Sequence, residues 1–165
     1  MSCSRTLLRH AVATRLASRR DDGGAWTAAG THVLLARHHI PTHAADLPAL
    51  LVYGGGEEIV ESSYPLAVER GLLRRCGWLM IDCVVLADDQ AEDLLDAMAA
   101  GVEAALEWFE PPDLPKATLR ILRSDPPMVG GGGGGGPVST WIGRLWVHVR
   151  TYHPYRVPAQ ERTVS

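Results

Sequence analysis

The stretch that decides the fold is Trp78-Leu79-Met80-Ile81-Asp82-Cys83-Val84-Val85-Leu86-Ala87. Side chains of a strand point alternately to its two faces, so Leu79, Ile81, Cys83, Val85 and Ala87 make one wholly apolar face. Trp78, Met80, Val84 and Leu86 share the other with a lone acid, Asp82. Apolar residues on both sides predict a central strand, running from Arg70 to Ala87, covered on both faces and entered through a hairpin from the Glu57 to Glu61 region.

The segment that follows predicts a helix. Asp88 or Asp89 caps it, Glu92 completes a box-like start, and Pro111-Pro112 stops it. Leu94, Leu95, Met98, Val102, Leu106 and Phe109 fall on one stripe, which faces the sheet. From Asp88 to Glu110 there are eight acids and no Lys or Arg, so the outer face is strongly negative. A first helix is predicted after Ser4 as N-cap, with Leu7, Leu8, Ala11, Val12 and Leu16 at helical spacing. It is basic: Arg5, Arg9, Arg15, Arg19 and Arg20 precede any acid, and Asp21-Asp22-Gly23-Gly24 ends it.

Short apolar runs bounded by breakers, His32 to Arg37 and Ala49 to Tyr53, predict two strands, with Gly54-Gly55-Gly56 as the turn out of the second. Thr118 to Arg123 predicts another short strand. The last strand, Trp141 to Tyr152, places Trp141, Leu145, Val147 and Val149 on one face and Arg144, Trp146, His148, Arg150 and Tyr152 on the other. This order predicts an α+β fold, a mostly antiparallel or mixed sheet with two main helices packed against it. Residues 1–155 form one domain, 124–140 a flexible Gly-rich loop within it, and 156–165 a loose tail.

A chain of 165 residues, 46% apolar, buries a core without metal or disulfide support. A net charge of -3 gives no overall attraction to nucleic acid or anionic membrane. Cys3, Cys76 and Cys83 lack metal-type spacing, and the Arg-interrupted N-terminal stretch fits neither a secretory signal nor a membrane span, so a reduced cytosolic protein is expected.

Nothing in the sequence requires catalysis. The glycine run Gly130 to Gly136 lacks the lysine and Ser or Thr of a phosphate-binding loop, and Pro137 follows it. His38, His39 and His43 form the only histidine cluster, but Pro41 between them opposes the helix that would align two of them for zinc. Ser62, Ser63 and Ser139 lie in no nucleophile-elbow pattern, and Cys76 and Cys83 behave as small hydrophobes. Asp89, Glu92, Asp93 and Asp96 are explained by a helix N-terminus and a solvated face, and Asp82 by pairing with an arginine or a place at the sheet margin. Neither a catalytic residue nor a cofactor or metal is expected.

Two features point to assembly. The basic first and acidic second helices either neutralise each other inside one subunit, or dock unlike faces of neighbours in head-to-tail contacts, as a ring requires, or are simply solvated outer faces. Trp146 and Tyr152 interleave with Arg144, His148 and Arg150, the residue types of interface centres; Arg there also suits DNA phosphate, and cover by the chain's own loops is the third alternative.

Leu47-Pro48-Ala49-Leu50-Leu51-Val52-Tyr53, the Gly-Glu turn, the strand from Trp78 to Ala87, the acidic helix from Asp88-Asp89 and the closing Val149-Arg150-Thr151-Tyr152 together resemble the lambda-like minor tail protein U family of phage tail terminators. The basic N-terminal helix fits too, while the glycine run and the tail after Pro154 depart from the family pattern. The resemblance implies a non-enzymatic virion subunit, assembled in the host cytoplasm, that forms a six-fold ring at the head-proximal end of the tail. The implied partners are other copies of itself, the major tail-tube protein, the head-tail connector and, non-specifically, DNA in the lumen. The candidate interface residues are Arg70, Arg74, Arg75, Arg144, Trp146, Arg150, Asp89 and Asp93. Another neck or head-completion protein of the same virion is the nearest alternative, and a small cytosolic ligand-binding or metal-dependent enzyme the distant one.

Overall fold

Helix α1 (Ser4–Ala17) buries Leu8, Val12, Ala13 and Leu16, a single stripe at the spacing expected of an amphipathic helix. Ser4 lies within the helix rather than ahead of it as a cap. Strand β1 (Val33–Leu34) follows, then β2 (Ala49–Val60), β3 (Leu72–Leu86), helix α2 (Ala91–Leu106), β4 (Thr118–Gly130) and β5 (Thr140–Pro154). This computed structural model describes residues 4–35, 40–41, 43–60, 72–114, 116–130 and 138–154.

The five strands form one sheet in the order β1-β2-β3-β5-β4. Only β1 pairs in parallel, with β2; the other pairings are antiparallel. The α+β architecture with a mixed sheet is therefore as expected, with the stretch from Trp78 at its centre. Leu79, Ile81, Cys83 and Val85 of β3 join Leu145, Val147 and Val149 of β5 and Leu50 and Val52 of β2 in the main core. Both helices cover that face: Leu95, Met98, Val102, Ala105 and Leu106 of α2 pack beside the α1 stripe.

Three expectations need correction. Gly54-Gly55-Gly56 is not a turn: β2 continues to Val60, and the register shifts between Gly54 and Glu57. A bulge absorbs the glycines without breaking the ladder, and Gly55 lets β2 pass close to β3, where a Cβ would lie 2.9 Å from that of Trp78. Of the predicted His32 to Arg37 strand, the described residues 32–35 are strand only at Val33–Leu34, and residues 36 and 37 lie outside the described residues. The short strand at Thr118 extends to Gly130, so residues 124–130 of the supposed loop are strand. Asp125-Pro126-Pro127 is tolerated because β4 is an edge strand, where a missing N–H costs no ladder bond, and the register shifts there. Residues 131–137, His38, His39, Arg70, Ser62, Ser63 and the 156–165 tail lie outside the described residues.

The second face of the central strand is covered at its middle, where Asp82 and Val84 are buried, and open at its ends, where Trp78 and Leu86 are exposed. Both helices occupy one side of the sheet, and the opposite face carries a smaller apolar cluster, Leu51, Tyr53, Val84 and Ile142, beside a polar and aromatic patch. The central strand is thus roofed by helices on one side only. The helices also touch: Arg15 of α1 donates from Nε to the Ala105 carbonyl at 2.9 Å and stacks 4.4 Å from the Trp26 ring. α2 has no base of its own in its last turn, so Arg15 supplies the positive charge that its C-terminus favours.

Candidate functional site

The sheet face away from the helices is built from successive cross-strand rows. Tyr53, Met80, Trp146 and Arg123 lie opposite one another across β2, β3, β5 and β4; Leu51, Asp82, Arg144 and Asp125 form the next row. The alternation read along β5 is the one observed, since Leu145, Val147 and Val149 are buried among the helices while Arg144, Trp146, His148 and Arg150 face the other way.

Asp82 is the hub of this face. It is buried, at 4% exposure, and takes a forked pair of bonds from Arg144: Nε to Oδ1 at 2.8 Å and Nη2 to Oδ2 at 3.0 Å. The Tyr53 hydroxyl donates to Oδ2 at 2.8 Å. A buried carboxylate needs this full set of donors. The sequence left two explanations for Asp82, the sheet margin or an arginine, and the arginine is the answer.

Trp146 has a second role. Its indole N–H donates to Asp125 at 2.8 Å, and Arg123 donates to the other oxygen at 2.7 Å. The Trp146 bond, with Arg123 after it, holds the Asp125 carboxyl below its usual range. Trp78 meets Trp146 and His148 edge-on, with ring centroids 6.0 and 5.3 Å apart, and remains 38% exposed. Arg150 completes the patch; its Nε is buried with no hydrogen-bond partner among the described residues. The arrangement is an arginine- and aromatic-bearing plate rather than a pocket.

The other residues singled out are dispersed. Asp89 and Asp93 are exposed at the start of α2, on the opposite side of the sheet. The N-cap there is Gln90, and Asp88 acts one step earlier, accepting the Gln90 N–H at 2.9 Å. Arg74 pairs with Tyr152 in the β3–β5 ladder, and Arg75 falls on the helix side, apart from Arg144 and Arg150. His43 is exposed ahead of a short 3-10 turn, Ala44–Asp46, and no group of three metal-ligating side chains converges among the described residues. No described helix is long and apolar enough to cross a membrane.

Trp108 escaped the sequence reading. It follows the end of α2 with a left-handed backbone, φ 60°, and is 92% exposed. A tryptophan in that conformation with its ring in water is uncommon. Only its place just before Pro111-Pro112, where a helix must stop, hinted at it.

No family model and no curated protein matches the chain. A solved structure does. It is a chain of the virion of native gene transfer agent (GTA) particle, 19% identical, with 88% of this chain and 95% of that one covered and a TM-score of 0.48.

The cysteines behave as small core residues. Burial first, and the neighbouring Asp82 charge second, push the Cys83 thiol from 9.0 up to about 12. A raised thiol pKa adds stability that is intact below the unfolded value and lost as pH climbs through the folded one. Stability should therefore fall as pH rises between about 9 and 12, and Cys83→Ala should flatten the decline. In the native protein a maleimide should label half-buried Cys76 and leave Cys83 intact by peptide mass mapping; equal labelling would contradict this burial.

Proposed function

We propose that this protein is a phage tail terminator, a structural subunit whose ring caps the tail tube, stops its growth and presents a joining surface to the head. One observation carries the reading beyond sequence resemblance. The two sides of the sheet bear unlike surfaces: an arginine and aromatic plate on one, the acid-rich outer face of α2 on the other. A head-to-tail contact needs two different complementary patches on each subunit, and rings are built from such contacts.

α1 and α2 lie on the same side and touch, which favours the reading in which they pair inside one subunit. The plate with Arg144, Trp146 and Arg150 is then the counterpart of α2 across a subunit boundary. The buried Arg150 Nε suits a carboxylate from a neighbour, and Trp108, beside Glu107 and Glu110, has the character of an interface anchor. The stop to tube growth, on this reading, is made by contact geometry without turnover.

The test is assembly. At low salt the wild type should form rings and cap purified tail tubes, and at high salt association should weaken, since contacts between solvated charges are screened. Arg150→Glu and Trp108→Ala should each reduce capping at least about tenfold while leaving the fold intact, because anchors of this type contribute roughly 2 kcal/mol or more. In phage lacking the gene, electron microscopy should find headless tails of uncontrolled length; tails of normal length would refute termination.

A further inference from the structure

We propose that the cavity between α1 and the β2–β3 ladder is an oxyanion site that binds a phosphate group. It is a small space of about 30 Å³, open to solvent on one side, on the helix side of the sheet and away from the arginine and aromatic plate. Arg5 and Arg9 reach it from successive turns of α1, and Arg75 reaches it from β3. No acid stands among its described lining residues.

Two considerations point to an anion. The Arg75 Nε is buried with no hydrogen-bond partner among the described residues, and a buried donor left unmade is costly. The glycines of the wall, Gly54 and Gly77, leave the mouth clear of side chains; a Cβ at Gly54 would point toward the Arg9 side chain, 3.9 Å away. Planar guanidinium forks match the paired oxygens of a phosphate group.

The group is a free phosphate ion or one phosphate of a nucleic-acid backbone. Either would satisfy the Arg75 Nε. The site stands apart from the ring reading, because it is tested on the isolated full chain without tail tubes.

The experiment is thermal unfolding and calorimetric titration with inorganic phosphate, against chloride at matched ionic strength. The wild type should give a saturable rise in Tm. Arg75→Gln should bind phosphate at least about tenfold more weakly, as expected for losing a charged hydrogen bond. Arg120→Gln, an exposed arginine of β4 outside the cavity, should bind like wild type. Should Arg75→Gln fold poorly, Arg9→Gln gives the same test from the other wall. Competition by a short DNA duplex would assign the phosphate to a nucleic-acid backbone, and lack of competition to the free ion. A rise in Tm that does not saturate, or one equal in the wild type and both cavity variants, would overturn the proposal.

Discussion

Arg144→Ala should destabilise the protein by about 3–5 kcal/mol, the range found when one partner of a buried ion pair is removed. The reason is Asp82, not Arg144. With only 5% of its side chain exposed, Asp82 depends on the guanidinium fork for charge and for two of its three donors; truncating Arg144 leaves Tyr53 alone to hold a buried carboxylate. For a chain of this size the loss corresponds to a fall in Tm of about 10 °C. Replacing both members, as Asp82→Leu with Arg144→Met, should recover most of it, because an apolar pair of similar volume carries no desolvation penalty. A single-variant loss below about 1 kcal/mol, the level of an exposed pair, would sink this account of the hub.

Gly101→Ala should destabilise as well, against the usual sign. In an ordinary helix interior the change adds up to about 1 kcal/mol of stability, because alanine is the better helix former. Here a Cβ at position 101 would overlap the Trp26 carbonyl oxygen and lie 2.9 Å from the Thr27 methyl. The Trp26–Thr27 segment passes directly over α2, and Arg15 stacked on Trp26 fixes it there. Relief requires moving backbone, so a net loss of about 1–3 kcal/mol is expected, as for an overpacked core. Chemical denaturation would measure it. A stabilised variant would mean that the loop can withdraw from the helix without loss.

How much of this was legible in the sequence depended on the range of the interaction concerned. The alternation of β5 and the α2 stripe were readable because each is a local repeat that packing then used unchanged. Leu145, Val147 and Val149 turn inward together, as do Leu95, Met98 and Val102. The bulged ladders were not readable. Gly54-Gly55-Gly56 and Asp125-Pro126-Pro127 carry strong local break signals, yet the pairing with a neighbouring strand resumes beyond each after a register shift and holds it in the sheet. A cross-strand partner is distant in sequence, and its hydrogen bonds outweigh the local preference.

The candidate surface followed the same division. Arg144, Trp146 and Arg150 were recognisable as one face because they share a strand, and the acids of α2 as another because they share a helix. Which faces oppose each other depended on the helices lying on one side of the sheet. Trp108 was missed because exposure at a helix end leaves no periodic trace. Arg5, Arg9 and Arg75 were visible singly, but no spacing rule joins a helix near the N-terminus to a central strand.

The central run from Trp78 to Ala87 illustrates the limit. By itself the sequence determined that this run is a buried strand, since two apolar faces in water leave no other arrangement. Only the tertiary structure decided that one face meets both helices, while the other places Asp82 between Tyr53 and Arg144. That outcome rests on contacts between residues 29 and 62 positions apart, which exist only once the strands have paired.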